Sequence, residues 1–337
     1  MGLFDRLFGR QPVAGGDPLL GRALDRTVEV VEPKLALVRD WRNRLAPGVS
    51  AAIEIARGGA QCLQQVHDLA AANWGSDPLL RAAFANADSI SQVLARMRDL
   101  HRFMRAPGAG AEAYAVLGMA FATRKVLGPA LVGEQVRSEV ERTQANFGDH
   151  RIRIVEADAE AMRQAAGVRI FNELLLGVTR ELARTDERRK ELNVERAMLQ
   201  ARLRMLEHNE QTLSEEFGGK GEAAVDAPAE RAEMQRRLDE MNDAMAQYGG
   251  GTEGLDRQLE IVRDALLSAR ELVHIEPFRL RLDAMNTVLD ADQAAGQEVE
   301  LVRIEAPRIS RVVAAVRVRR ADVPAGGLSI AAVERTL

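Results

Sequence analysis

Few residues in this chain combine the types and the spacing that chemistry needs. Gly108-Ala109-Gly110-Ala111-Glu112-Ala113 matches the loose spacing Gly-x-Gly-x-x-Gly/Ala of a dinucleotide-binding turn. That turn works only where a strand leads into it and a helix N-terminus then faces the pyrophosphate. The preceding stretch Arg102–Arg105 is helical in character, so the pattern reads as a loop joining helices. Gly219-Lys220 lacks both the upstream glycine and the following Ser or Thr of a phosphate loop. Glu271 and His274 stand one helical turn apart, as in carboxylate-bridged di-metal bundles. Such a site needs a second copy, and none of His67, His101, His150 or His208 has Glu three residues before it. His274 reads instead as a histidine near the free carbonyls of a helix end. Cys62 is the only cysteine, which excludes an intramolecular disulfide and a thiolate zinc cluster; within Ala60–Val66 it reads as a small buried hydrophobe. There is no Gly-x-Ser-x-Gly elbow, and no nucleophile and base can be paired. The expectation is therefore no catalytic residue, no cofactor and no metal.

Charge narrows the partners. Across 337 residues, 46 Lys and Arg oppose 50 Asp and Glu, a formal net charge of −4, which removes the global electrostatic reason for nucleic acid as the main partner. Only Lys34, Lys125, Lys190 and Lys220 are lysines, and the remaining basic residues are arginines. Aromatic residues make up 4% of a chain that is 46% hydrophobic, so its core must be built from Ala, Leu, Val and Met. Ala and Leu cost least in a helix, whereas strands favour aromatic and β-branched residues, so the composition points to helices.

The elements that would position these residues follow from periodicity. Leu3, Phe4, Leu7 and Phe8 share one helical face opposite Asp5, Arg6 and Arg10, and Pro12, Gly15 and Gly16 follow. Residues 1–16 thus read as an amphipathic docking peptide with a linker, suited to a membrane surface, a partner's groove or the chain's own body. Residues 17–157 read as a helical body, with helices over 18–45, 49–73, 77–105 and 111–146 and breaks at Pro47-Gly48, Asn73–Ser76 and Pro107–Gly110. Asp17-Pro18 and Asp77-Pro78 are helix-start signals. Asn146–Asp149 reads as a turn, and His150–Val155 as a short strand.

Asp158 caps a helix expected to run to Phe217, along which Leu192, Leu199, Leu206 and Leu213 recur every seven residues. After a tip at 218–228, Leu238, Met241, Met245, Leu259 and Leu266 keep alternating steps, so 158–275 is expected to form an antiparallel coiled-coil hairpin. Gly249–Gly251 is a bend or a loop within its returning half. Period-two alternation then predicts strands at 277–289, 298–305 and 311–320, a β-meander over 276–322 followed by a tail at 323–337. The expected fold is mainly α: an N-terminal helical bundle, a long antiparallel coiled-coil hairpin and a small C-terminal antiparallel β-meander.

Interspersed charges over Arg180–Glu216 describe a solvated helix face. The last strand is richer in arginine, and Arg311, Arg317 and Arg319 are candidate anion contacts or guards of a sheet edge. The resulting functional expectation is a non-enzymatic cytoplasmic scaffold or adaptor. It would use the helical arm for self-association or partner contact, and Leu3, Phe4, Leu7 and Phe8 for weak docking on the membrane's inner face. One alternative is nucleic-acid association through the basic strand. A second is an enzyme whose pocket gathers Arg124, Glu134, Arg137 and Glu141.

Overall fold

The computed structural model describes residues 18–132, 135–217, 227–246, 251–290, 296–306 and 309–324. Leu3, Phe4, Leu7 and Phe8, most of the expected tip, Gly249, Gly250 and the tail beyond Pro324 lie outside them. In chain order the elements are α1 (Pro18–Val31), α2 (Trp41–Gln61), β1 (Val66–Asp68), α3 (Pro78–Ala83), α4 (Ala87–Arg96), α5 (Arg98–Arg105), β2 (Glu112–Val132) and β3 (Gln135–Glu156). Then follow α6 (Ala159–Phe217), α7 (Ala227–Ala246), α8 (Gly251–Leu267), α9 (Ala269–Leu272), β4 (His274–Leu282), β5 (Gln297–Ala306) and β6 (Ile309–Arg319).

The mainly α expectation is corrected. Of the described residues 59% are helical and 27% lie in strands, and all the strands belong to one curled six-stranded sheet. Its order is β3-β2-β6-β5-β4, with β1 added parallel to β6 and every other pairing antiparallel. The expected C-terminal meander is thus only part of a larger sheet, and the helix expected over 111–146 is instead most of β2 and β3. The reason lies in burial. Ala113, Ala115, Leu117 and Met119 face one layer while Val116 faces the other, so this strand is apolar on both sides and shows no alternation. Its alanines then mimic a helix.

Two compact units share the chain: Ala51–Leu174 with the chain from Ser268 onward, and Leu20–Ser50 with Leu175–Leu267. In the first, one sheet face offers Leu117, Met119, Val312, Ala314, Val316 and Val318 to Leu79, Leu80, Ile90, Leu94 and Leu100 of α3, α4 and α5. The opposite face offers Val116, Val313 and Ala315 to Ala60 at the end of α2, to Leu63 just beyond it, and to Met162 and Ala166 of α6. Each Leu, Ile, Val and Met side chain among them contributes about 1.5–3 kcal/mol when fully buried, and each alanine methyl less. Asn286–Val288 ties the two edge strands: Ala145 N–H donates to Asn286 O and Val288 N–H to Thr143 O, both at 2.8 Å, while Leu282 bridges Val288. The expected turn at Asn146–Asp149 is in fact a register shift inside β3, where Asp149 adopts φ 46°. A second shift, between Tyr114 and Val116, places Ile154 at φ 56°.

The second unit shows where prolines end helices. Pro33 holds Glu32 extended (φ −161°, ψ 107°), so α1 stops there rather than running to residue 45. The break expected at Pro47-Gly48 does not occur, because α2 carries both inside it. Gly48 is needed for packing, since a Cβ there would meet Arg263 O of α8 at 2.8 Å and Leu266 Cβ at 3.0 Å. Arg44 adds ion pairs to Glu260 at 2.6 Å and to Asp256. Asp158 caps α6 as expected, its Oδ1 accepting from Ala161 N–H at 2.8 Å. Of the expected seam, Leu192, Leu238, Met241, Leu259 and Leu266 are buried and Leu199 is half-buried; Leu206, Leu213 and Met245 lie outside the residues whose side chains are described. No coiled-coil register is evident among the described residues, so that part of the expected fold reduces to single buried positions.

Gly48→Ala is expected to destabilise the protein by about 1–3 kcal/mol through overpacking. Gly58→Ala, also in α2 but facing open space, is expected to be neutral or to stabilise by up to about 1 kcal/mol. Chemical denaturation of the two variants checks the contrast.

Candidate functional site

Strand β6 lies inside the sheet, and its neighbours build a polar cleft. Its registered partners at Arg317 are Tyr114 of β2 on one side and Asp68 of β1 on the other, so the three form one row across a sheet face. Arg317 grips Asp68 with two parallel bonds, Nε to Oδ1 at 2.5 Å and Nη2 to Oδ2 at 2.6 Å. Arg319 reaches the same carboxylate at 3.3 Å, and Glu112 lies 3.5 Å from Arg317. The Arg317 bonds hold the Asp68 carboxyl below the ordinary carboxylate range, and Asp68 in turn pushes Arg317 further up, so both stay charged.

His67, the intervening β1 residue, points to the opposite face and is 6% exposed. Its Nδ1 lies 2.8 Å from Asp77 Oδ2, and since a carboxylate only accepts, Nδ1 carries the proton. Asp77 is itself fixed as the cap of α3, with Oδ1 accepting from Leu79 N–H at 2.8 Å and Leu80 N–H at 3.2 Å. Burial pushes the Asp77 carboxyl up, but the bonds from His67, Leu80 and Leu79 outweigh it and hold the group below the usual range. Together with Gln65, Asn73, Ser76, Pro78 and Tyr114, these residues line a cleft of about 590 Å³.

A smaller pocket of about 210 Å³ adjoins it, sharing Gln65 and His67. It occupies a fork in the sheet. β6 pairs with β5 from Ile309 to Val313, then with β1 from Ala315 to Arg317, and the walls of the fork carry Leu301, Val302, Val313 and Ala314. Cys62 also lines this pocket, half-buried, with Sγ donating to Gly58 O at 3.4 Å; burial pushes its thiol up, the opposite of what a nucleophile needs.

The residues singled out from sequence fall elsewhere or take other roles. Arg311, Arg317 and Arg319 do not guard an edge, because β6 is flanked on both sides. Arg311 is bonded to Asp149, and Arg317 and Arg319 share Asp68, so all three are already engaged by the protein's own carboxylates. This removes the main support for the basic strand as a nucleic-acid contact. Arg124 and Glu141 lie on β2 and β3, bonded to Gln144 and Lys125 respectively, and the side chains of Glu134 and Arg137 lie outside those described. The Gly108–Ala113 pattern is the turn into β2, not a turn into a helix, and Gly108 takes φ 78° there. His274 Nδ1 donates to Arg270 O at 2.6 Å, a helix-end carbonyl. Sequence reasoning missed His67 altogether. It found Asp77 only as a cap, because nothing in the nine intervening residues signals that the second carboxylate oxygen meets an imidazole.

Among the described residues, no group of three or more His, Cys, Asp or Glu is arranged to hold a metal ion, and no helix is long and apolar enough to cross a membrane. Comparison of the chain with known protein families, curated proteins and solved structures finds no match.

Asp77→Asn keeps a capping oxygen and removes the charge. Because the folded carboxyl sits below its ordinary value, its contribution is fully present above the ordinary carboxylate range and is lost below that range, as the pH falls through the group's own lowered value. The variant is expected to be less stable by about 1 kcal/mol at neutral pH. The gap to wild type should close in acid, below about pH 4; denaturation midpoints across pH measure it.

Proposed function

We propose that the protein is a non-enzymatic scaffold that self-associates through its long helix α6. The observation that carries this reading is an apolar stripe left in solvent: Val194, Met198 and Met205 are 56%, 66% and 69% exposed. At 100° per residue the three lie within about 40° of one another on the helix surface. Single exposed apolar side chains need no explanation, but a run of them on one face of a helix marks a contact surface.

The occupant proposed is a second copy of the same helix, running in reverse. Glu195 and Arg202 stand on the same flank of the stripe, about equally far before and after Met198. Reversing the second helix sets Glu195 against Arg202 of the partner subunit, and Arg202 against Glu195 of the partner subunit, a self-complementary pattern suited to a two-fold interface. In this reading Leu3, Phe4, Leu7 and Phe8 supply a second, reversible contact with the cytoplasmic face of a membrane.

Light scattering after size exclusion tests the proposal. Wild type is expected to be dimeric at about 100 μM, and Met198→Glu with Met205→Glu to be monomeric with unchanged helicity, since each buried Met is worth about 1.5–3 kcal/mol and the loss exceeds a hundredfold in affinity. Glu195→Arg should weaken the dimer, and adding Arg202→Glu should restore it. A wild type that is monomeric at that concentration, or a double Met variant that remains dimeric, overturns the reading.

A further inference from the structure

We propose that the cleft between β1 and the Asn73–Pro78 turn binds a neutral, multiply hydroxylated small molecule of the size of a mono- or disaccharide. Its starting point is His67. Nδ1 is committed to Asp77, whereas Nε2 has no partner among the described residues and is left to the cavities that His67 lines. Nε2 is thus the ring atom left to a ligand, and a hydroxyl group can pair with it either as donor or as acceptor.

The charges of the lining exclude ions of either sign. Asp68 is already neutralised by Arg317 and Arg319, and Asp77 is satisfied by His67 and two backbone N–H groups. An anion entering here meets two carboxylates, while a cation meets the Arg317 guanidinium. What remains open to a ligand is uncharged and of mixed sense. The Ser76 hydroxyl donates to Asn73 O at 3.2 Å and keeps its oxygen as an acceptor. The Tyr114 hydroxyl, bonded to Arg317, keeps its proton to donate, and Gln65 offers both kinds of group at the wall shared with the smaller pocket. Hydroxyl groups, each donor and acceptor at once, match such a surface better than carboxylates or amines.

Shape agrees with this chemistry. About 590 Å³ lies within the range of small-ligand sites. The Tyr114 ring and Pro78 provide apolar surface for the C–H face of a sugar ring. The adjoining 210 Å³ pocket, walled by Leu63, Leu301 and Val313, has room for a small apolar substituent of the ligand. All of these residues belong to the sheet-bearing unit, so the site is independent of the self-association surface on α6.

Saturation-transfer NMR on the full chain tests the proposal with glucose, N-acetylglucosamine, maltose and trehalose as probes, and inorganic phosphate and putrescine as the anionic and cationic contrasts. At least one saccharide is expected to receive saturation, and neither phosphate nor putrescine should displace it. Tyr114→Phe and Gln65→Ala, which leave the Asp68 and Asp77 bonds in place, should each weaken that binding at least fivefold without moving the melting temperature. His67→Leu should abolish it. No transfer to any of the four saccharides overturns the proposal. So does displacement by phosphate or putrescine, or binding indifferent to both the Tyr114 and Gln65 changes.

Discussion

Strand β6 is the constraint on which the sheet-bearing unit depends. It must pair with β2 along one side from Val312 to Arg319 and divide its other side between β5 and β1. It pairs with β1 and β2 from before the long helical insertion and with β5 from after it, so the register of β6 sets where the two halves of the chain meet. The Arg317–Asp68 pair reinforces that register at its far end, where β1 is only three residues long and has few backbone bonds of its own. A bidentate pair between registered neighbours holds so short a strand in a way that a point charge would not.

Dividing one side of β6 has a structural consequence. Where β5 leaves and β1 arrives, the sheet cannot close, and the gap becomes a pocket lined by strand residues from three directions. The same division sends His67 toward the layer of α3, where the Asp77 cap receives it. The polar cleft is therefore a by-product of topology: a short parallel strand at a fork brings a carboxylate, an imidazole and a guanidinium together although they lie at positions 67–68, 77 and 317 of the sequence. The helical unit is organised differently, around close approach. Gly48 and the ion pairs of Arg44 bring α2 onto α8, while the exposed stripe of α6 is left without a described neighbour.

Local signals in the sequence were legible wherever a single residue governs its own backbone. Asp77 and Asp158 cap helices as their positions indicate, and the alternation after Ile275 marks β4, β5 and β6 to within a few residues, apart from the turn residues 283–289. The same rules failed where packing overrides propensity. Pro47 was expected to break a helix, yet α2 carries it near its start, with Gly48 packed tightly beside it. Ala113–Met119 was expected to be helical, because a strand buried on both faces loses the alternation that identifies strands at all. The heptad ladders located the long helix α6 and the buried face of α7, but spacing along a helix does not say which neighbour covers it.

The sequence alone therefore determined the caps, the exposed strand alternation, the near-neutral charge and the lack of a recognisable catalytic motif, since each depends on residues close together in the chain. Only the tertiary structure decided that Glu112–Glu156 is a strand pair, that the final strands complete a sheet begun before the helices, and that Arg317 answers Asp68 rather than a foreign anion. It also decided that His67 and Asp77 form a buried pair beside a cleft. These are contacts between distant positions, set by which faces must be buried together, and a one-dimensional pattern carries no record of the partner.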